Sequence, residues 1–161
     1  MQTVCLIGKP NVGKSSIFNR LIKEKKAIIM DTPGITRDRI YGIVNYKDKR
    51  FSLIDTGGIS LGNDDFDKDI LAQAELAIDE ADVVLFVVDG LGDLDASDLH
   101  IKEMLHKAHK KVIVVVNKLD NNKRQDYLYN FYELGFSEVI GVSAEHNLGF
   151  DALLEKICAD I

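Results

Sequence analysis

The sequence predicts an α/β fold in which a mostly parallel sheet is covered by helices on both faces. Three unbroken apolar runs of strand length, at residues 4–7, 83–88 and 112–116, are rich in β-branched side chains. Strands without a polar face are typical of sheets that are covered on both sides. Helical patterns lie between these runs, and strands that alternate with helices are typical of parallel sheets.

Three further strands bring the expected sheet to six. Residues 39–54 predict a hairpin, because apolar and polar residues alternate on either side of a tight turn at residues 46–49. This hairpin supplies the one antiparallel strand. The last strand is expected at residues 138–142.

Three stretches have apolar residues at helical spacing and are predicted as helices. The first covers residues 15–22. The second covers residues 95–107 and opens with Asp95, a suitable capping acceptor, followed three residues later by Asp98. The third follows Gly149 and reaches towards the end of the chain.

Length and composition indicate one domain without a membrane or DNA partner. The chain has 161 residues, of which 46% are hydrophobic, and a net charge of −6, which does not favour direct DNA binding. Cys5 and Cys158 lie among apolar neighbours, so two buried thiols are expected rather than a disulfide. No apolar run reaches the ~18 residues that span a bilayer, and no signal sequence precedes the first strand. We therefore expect a cytoplasmic protein.

Residues 8–15 form the pattern G-x-x-x-x-G-K-S between a predicted strand and a predicted helix. This context predicts a phosphate-binding loop, in which backbone N–H groups and the helix amino terminus surround the anion. Lys14 is expected to bridge the β- and γ-phosphates, and the Ser15 hydroxyl to bind Mg²⁺. The alternative is a glycine turn with an exposed lysine. The residues expected to contact the nucleotide here are Gly8, Lys9, Pro10, Asn11, Val12, Gly13, Lys14, Ser15 and Ser16.

The segment N-K-L-D after a later strand predicts guanine rather than adenine as the base. Asp120 can accept hydrogen bonds from the N1–H and 2-amino groups of guanine, and adenine has no donors there. Asn117 is expected to hold the loops together and to meet the base edge. The aliphatic stem of Lys118 is expected to cover one face of the base.

A second contact with the base is expected from the segment S-A-E, which directly follows the strand predicted at residues 138–142. A backbone N–H there could reach the carbonyl oxygen of guanine. Each short motif alone could be a polar loop, but their order and their positions after strands favour one shared nucleotide site. The residues of this segment are Ser143, Ala144 and Glu145.

The segment D-T-G-G after the strand at residues 51–54 predicts a loop that helps to hold Mg²⁺ and senses the γ-phosphate. Asp55 is expected to hold the Mg²⁺ shell through a water, and the N–H of Gly58 to sense the γ-phosphate. An ordinary turn is the alternative. The expected binding residues here are Asp55, Thr56, Gly57 and Gly58.

Two loops are expected to change with the nucleotide. In the loop at residues 31–39, Thr36 is the preferred residue to close over Mg²⁺ when GTP is bound, with Thr32 as the alternative. The acidic, turn-like segment 62–69 is expected to be the second mobile loop. Loss of the γ-phosphate would release both loops.

With these segments placed, the chain resembles the translation-factor-class GTPases, and most closely the first GTP-binding domain of the Der (EngA) family of bacterial ribosome-assembly GTPases. The resemblance is carried by K-P-N-V-G-K-S-S at residues 9–16, D-T-P-G-I-T-R-D-R at 31–39, D-T-G-G-I at 55–59 and V-S-A-E-H at 142–146. Era and the tRNA-modifying GTPase share parts of these motifs.

This resemblance covers essentially the whole chain and implies the G-domain version of the P-loop NTPase fold. It implies that residues 1–161 form one GTP-binding domain of a longer tandem-GTPase protein. It also implies a role in maturation of the large ribosomal subunit, with that subunit and a second GTPase domain as partners.

Two departures from the Ras pattern bear on hydrolysis. Ile59 stands where Ras-like enzymes have a glutamine that orients water, and an aliphatic side chain cannot do this. No arginine finger is evident, although Arg37 and Arg39 lie in the first switch loop. In relatives with asparagine at the position of Asn11, a K⁺ ion takes the place of the finger. The resemblance therefore implies K⁺ binding by Asn11, and the alternative is that Asn11 only caps the loop.

We therefore expect a switch that binds GTP with Mg²⁺ and hydrolyses it slowly, and faster in K⁺ than in Na⁺. The residues expected to act in hydrolysis are Asn11, Lys14, Thr36 and Gly58. The alternative function is a nucleotide-gated interaction module with negligible hydrolysis, which Ile59 favours. A small-molecule kinase or an ATPase is opposed by Asn117 and Asp120.

Overall fold

The computed structural model describes residues 1–22, 28–30, 39–56, 68–119, 128–159 and 161. The strands are β1 (Gln2–Ile7), β2 (Ile28–Met30), β3 (Arg39–Tyr46), β4 (Lys49–Asp55), β5 (Val83–Asp89), β6 (Lys111–Asn117) and β7 (Glu138–Gly141). The helices are α1 (Lys14–Ile22), α2 (Lys68–Glu80), α3 (Ala96–Ala108), α4 (Leu128–Phe131) and α5 (Phe150–Cys158). A short 3-10 helix, Tyr132–Leu134, follows α4 directly.

The strands form one sheet in the order β2-β3-β4-β1-β5-β6-β7. Strands β4, β1, β5, β6 and β7 run parallel, and β3 is antiparallel to β4. The predicted six-stranded sheet with one antiparallel strand is thereby confirmed. The three-residue strand β2 pairs with β3 and extends that edge. It was not predicted, because three residues are too few to display an alternating pattern.

Alternate residues of the central strand β5 face two separate cores. Val83, Leu85 and Val87 pack with side chains of α1 and α5 on one face of the sheet. Val84, Phe86 and Val88 pack with side chains of α2 and α3 on the other. Helices therefore cover both faces, as the unbroken apolar runs predicted. Full burial of each such side chain contributes roughly 1.5–3 kcal/mol.

The β3–β4 hairpin turns where the sequence predicts and is tied to α5. Tyr46 pairs with Lys49 across the turn, and Lys47 at its centre has a left-handed φ of 54°. The Tyr46 hydroxyl donates a hydrogen bond to Glu155 Oε1 at 2.8 Å, and Lys49 Nζ donates to the carbonyl oxygen of Cys158 at 2.8 Å. These contacts hold the hairpin against the last helix.

Helix α2 corrects one prediction. It begins at Lys68, so the last two residues of the loop predicted at 62–69 are helical. Residues 62–67 lie outside the described ranges. Among the described side chains of α2, the buried ones are Ala74, Ala77 and Ile78, and the small buried residue Ala81 follows the helix. Alanine favours helices but gives a weak apolar stripe, which is why the pattern did not predict this helix.

The predicted cap of α3 is present. Asp95 accepts a hydrogen bond from the backbone N–H of Asp98, and the Asp98 side chain accepts one from the backbone N–H of Asp95. Cys5 and Cys158 are buried free thiols, as predicted. Within the described ranges, no helix has the length and apolarity needed to cross a bilayer.

Candidate nucleotide-binding site

The loop between β1 and α1 has the backbone of an anion-binding loop. An added Cβ at Gly8 would lie 2.8 Å from the carbonyl oxygen of Val87, so glycine is needed where the loop leaves the strand. Asn11 and Gly13 both have left-handed φ angles, of 70° and 96°. Residues in this conformation build concave nests of N–H groups, and the amino terminus of α1 follows directly. The loop can therefore surround a phosphate group.

Lys14 and Asp55 form a buried ion pair beside this loop. Lys14 Nζ lies 3.1 Å from Asp55 Oδ1, and the two side chains are 6% and 4% exposed. Helix α1 supplies the lysine and the end of β4 supplies the carboxylate. The neighbouring Thr56 hydroxyl donates to the carbonyl oxygen of Leu6 at 3.0 Å, which fixes the end of β4 against β1. The predicted phosphate-binding lysine and the predicted Mg²⁺-binding carboxylate therefore lie in one site.

The donors at this site fit Mg²⁺. Asp55 offers a carboxylate, and Ser15 offers a hydroxyl at the start of α1. Both are hard oxygen ligands, and Mg²⁺ commonly combines one or two such protein ligands with substrate phosphates and waters. In the part of the chain that the structure describes, no three His, Cys, Asp or Glu side chains approach closely enough to hold a metal ion.

Asn117, at the end of β6, joins two loops. Its Nδ2 donates to the carbonyl oxygen of Val12 at 2.9 Å, and its Oδ1 accepts from the backbone N–H of Ala144 at 3.1 Å. Asn117 is 3% exposed and Ser143 is fully buried. One amide side chain therefore fixes the phosphate-binding loop relative to the segment S-A-E.

Lys118 is held by a carboxylate that the sequence analysis missed. Its Nζ lies 2.8 Å from Asp89 Oδ2 and donates to the carbonyl oxygen of Asn11 at 3.1 Å. The other Asp89 oxygen accepts from the backbone N–H of Leu91 at 2.8 Å. Burial raises the pKa of Asp89, but these hydrogen bonds outweigh it and hold the pKa below its ordinary value. Asp89 is the last residue of its strand, as Asp55 and Asn117 are of theirs. This position at a strand end could have indicated a role for Asp89 from the sequence.

Two further side chains attach the loops to the framework. Lys9 Nζ contacts the carboxylates of Asp95 and Asp98 at the start of α3. Arg20 of α1 donates from Nε to the carbonyl oxygen of Ala144 at 2.8 Å, and from Nη2 to that of Glu145 at 3.2 Å. Arg20 lies in α1 beyond the motif residues Lys14 and Ser15, so no pattern indicated this contact.

Several predicted site residues lie outside the described ranges, and their roles stay predictions. They are Thr32, Thr36, Gly57, Gly58, Ile59 and Asp120, together with Arg37. The structure brings the described members of the four predicted segments to the same edge of the sheet, at the carboxyl ends of β1, β4, β6 and β7.

A family model described as a 50S ribosome-binding GTPase matches residues 3–118. The chain belongs to this GTPase family. It is 46% identical to the GTPase Der of Lacticaseibacillus casei over 99% of its length, and 48% identical to that of Mycoplasma mycoides over 98%. It spans 37% and 36% of these relatives, just over a third of their length. The predicted resemblance to the Der GTPases is confirmed.

Solved GTPase domains have the same architecture. The G domain of the T. maritima FeoB iron transporter superposes with a TM-score of 0.78 at 33% identity, covering 99% of this chain and 98% of that one. Aquifex aeolicus Era bound to GDP and aluminium fluoride superposes with a TM-score of 0.81 at 30% identity, covering 98% of this chain and 56% of that one. The chain is a guanine-nucleotide-binding GTPase domain.

Proposed function

We propose that this domain is a Mg²⁺-dependent GTP-hydrolysing switch that acts in assembly of the large ribosomal subunit, in the cytoplasm. The observation that carries the proposal is the position of Asn117, which joins Val12 in the phosphate-binding loop to Ala144 in the expected base-binding segment. One side chain would thus set the distance between a triphosphate and a guanine base. The identity to Der, at 46–48%, exceeds the 33% identity to the FeoB G domain and favours the ribosomal role.

Lys14 has two partners to exchange during binding. Its ammonium contacts Asp55 Oδ1 in this structure. On nucleotide binding it would move to the β- and γ-phosphates, and Asp55 would then be available to Mg²⁺ together with Ser15. Mg²⁺ supplies positive charge that offsets the charge developing on the phosphate oxygens. Thr36 and Gly58 would close over the γ-phosphate and release it after hydrolysis.

Asn11 is the proposed K⁺ ligand. Its backbone is left-handed, which asparagine tolerates better than most residues, and Asn11 is exposed. Its carboxamide oxygen is a suitable ligand for a monovalent cation near the phosphates. We expect single-turnover GTP hydrolysis to be faster in K⁺ than in Na⁺. Equal rates in the two salts, unchanged in Asn11→Asp, would refute K⁺ binding by Asn11.

The second candidate function is a nucleotide-gated interaction module with negligible hydrolysis. Ile59 favours it, because this side chain cannot orient the attacking water. Single-turnover hydrolysis in saturating K⁺ separates the two candidates. Release of phosphate supports the GTPase, and retained GTP with nucleotide-dependent partner binding supports the module.

Binding assays test the nucleotide assignment directly. We expect the chain to bind GTP and GDP tightly with Mg²⁺ and to bind ATP at least ~10³-fold more weakly, since adenine would leave Asp120 unpaired. Asp120→Asn should lose most of this preference. Tight ATP binding that Asp120→Asn leaves unaffected would refute the assignment of guanine as the base.

The ribosomal role requires the longer protein. This chain can replace the first GTPase domain of a Der relative, and the chimaera can be sedimented with large ribosomal subunits. We expect co-sedimentation with a non-hydrolysable GTP analogue and less with GDP. Co-sedimentation that ignores the nucleotide would contradict a switch.

A further inference from the structure

Lys9, the second residue of the phosphate-binding loop, has its side chain bound to helix α3. Its Nζ lies 2.8 Å from Asp98 Oδ2 and 3.2 Å from Asp95 Oδ2. These are the same two residues that form the capping box of α3. The contact joins residues 89 positions apart, in two elements that only the tertiary fold brings together.

Asp98 is the buried member of this cluster. Its side chain is 1% exposed, whereas those of Lys9 and Asp95 are 17% and 56% exposed. Burial raises the pKa of Asp98, and the hydrogen bond from Lys9 opposes that rise. Asp98 Oδ2 accepts from Lys9 Nζ and from the backbone N–H of Asp95, while Oδ1 has no partner within the described residues. A carboxylate in this environment needs a nearby cation, and Lys9 supplies one.

The loop that carries Lys9 is constrained at its next residues as well. Asn11 is left-handed, and its carbonyl oxygen accepts a hydrogen bond from Lys118. The carbonyl oxygen of Val12 accepts one from Asn117. Both hydrogen bonds are donated by the segment N-K-L-D, which is predicted to recognise the base. The attachment of Lys9 comes instead from α3, which contributes no motif to the nucleotide site.

We propose that Lys9 is a positioning residue, which acts through Asp95 and Asp98 to hold the phosphate-binding loop in its nucleotide-binding conformation. This inference rests on the proposed function and deepens it, because it makes the start of α3 part of the nucleotide-retaining structure. A preorganised loop binds its anion more tightly, since less free energy is spent on ordering the loop.

The competing hypothesis is that the charge of Lys9 attracts the phosphates directly and that Asp98 restrains it. The two hypotheses predict opposite signs for one variant. If Lys9 positions the loop, Asp98→Asn weakens GDP and GTP binding, as Lys9→Met does. If Lys9 acts as a charge, Asp98→Asn removes one of the two carboxylates that restrain the ammonium and tightens GTP binding, because the lysine is less neutralised.

The test measures dissociation constants and release rates of fluorescent GDP, with Mg²⁺, for wild type, Lys9→Met, Asp98→Asn and the double variant. We expect Lys9→Met and Asp98→Asn each to release GDP about tenfold faster than wild type. The double variant should release GDP no faster than the faster of these two single variants. Lys9→Arg should retain wild-type release. At saturating GTP, the hydrolysis rate should change less than the dissociation constant does.

Two control variants match the substitutions on the same surface. Asp93→Asn removes an exposed carboxylate from the loop before α3, and Lys107→Met removes an exposed lysine from the far end of that helix. Neither should change GDP release. Thermal unfolding verifies that each variant folds, and Asp95→Asn replaces Asp98→Asn should the latter fail to fold.

Tighter GTP binding by the Asp98 or Asp95 variant, or additive effects in the double variant, would overturn the proposal. Variants that match wild type would overturn it as well. Failure of the wild-type chain to retain any guanine nucleotide would instead refute the proposed function, so the two failures are distinguishable.

Discussion

The position of Gly13 leaves no room for a side chain. An added Cβ would lie 2.2 Å from Asn117 Nδ2, the atom that bonds the phosphate-binding loop. Its φ of 96° is also one that residues with a side chain rarely adopt. Gly92, in the loop after β5, is different, because an added Cβ would meet nothing closer than Asp89 Cγ at 3.9 Å.

Gly13→Ala is expected to lower the free energy of unfolding by about 2–4 kcal/mol, because it combines backbone strain with displacement of the Asn117 side chain. It should also abolish measurable GDP binding. Urea unfolding and titration with fluorescent GDP measure both effects. Gly92→Ala is the matched control and should behave like wild type. Wild-type GDP affinity in Gly13→Ala would contradict the placement of Asn117.

Asp89→Ala is expected to raise the GDP dissociation constant about tenfold, or ~1.4 kcal/mol, because Lys118 loses the carboxylate that orients it. Asp89→Asn keeps an oxygen acceptor, so its GDP dissociation constant should lie between those of wild type and Asp89→Ala. Competition titrations with GDP provide the measurement, and Asp93→Ala in the same segment is the control. Equal affinity for wild type and Asp89→Ala would show that the Asn11 carbonyl oxygen suffices to hold Lys118.

Strands and helices position these residues through their ends. In a parallel sheet, the carboxyl ends of all strands meet at one edge, so residues that directly follow β1, β4, β5 and β6 become neighbours. This rule predicted the shared site of Asp55 and Asn117 from the sequence. The same rule applies to Asp89, but the sequence has no motif there to indicate a role. Helix α3 contributes through its first turn, where the capping carboxylates hold Lys9.

Lys9→Met is expected to make stability depend more strongly on pH. Burial raises the folded-state pKa of Asp98 above its ordinary value of 3.8. A raised pKa means that the folded state holds the Asp98 proton more tightly than the unfolded state does. The resulting contribution to stability is therefore full below pH 3.8 and is lost as the pH rises through the folded-state pKa. Without Lys9 that folded-state pKa rises further, so the loss becomes larger.

The difference in unfolding free energy between wild type and Lys9→Met should therefore be small near pH 4 and reach about 2 kcal/mol at pH 7. Urea denaturation at the two pH values measures it. In the Lys9→Met/Asp98→Asn variant, the additional pH dependence caused by Lys9→Met should largely disappear. A constant difference across this range would contradict the pairing of Lys9 with Asp98.

In the molecule as a whole, the two cores are apolar, and several buried polar side chains lie together at the nucleotide edge of the sheet. Lys14, Asp55, Asn117 and Ser143 are all buried there. Buried charges and amides are costly unless they are paired, and the structure pairs Lys14 with Asp55 and Asn117 with two loops. A ligand that engages these groups should therefore stabilise the whole fold.

GDP with Mg²⁺, at 100 times its dissociation constant, is expected to stabilise the domain by ~2.7 kcal/mol against unfolding, by mass action. Thermal unfolding with and without GDP measures the gain. ADP should have no effect at the same concentration, and chelation of Mg²⁺ should reduce the effect of GDP. Lys14→Met should abolish the gain, and a Lys14→Met protein that GDP still stabilises would contradict the role of this lysine.

The sequence by itself determined the sheet, its hairpin, the capped helix α3 and the places of the predicted nucleotide loops at strand ends. These depend on local patterns, such as unbroken apolar runs, an acceptor at a helix start and glycines beside a lysine. Helix α2 and strand β2 were missed because their local signals are weak. One is rich in alanine, and the other has three residues.

Only the tertiary structure decided which side chains hold the loops in place. Asp89 contacts Lys118 across 29 positions, Lys9 contacts Asp98 across 89, and Arg20 contacts the carbonyl oxygen of Ala144 across 124. These partners carry no local pattern, because an ion pair or hydrogen bond constrains the distance between two atoms in space and not their separation along the chain. Packing of the sheet and helices sets those distances, and it supplies the burial that makes each pair matter.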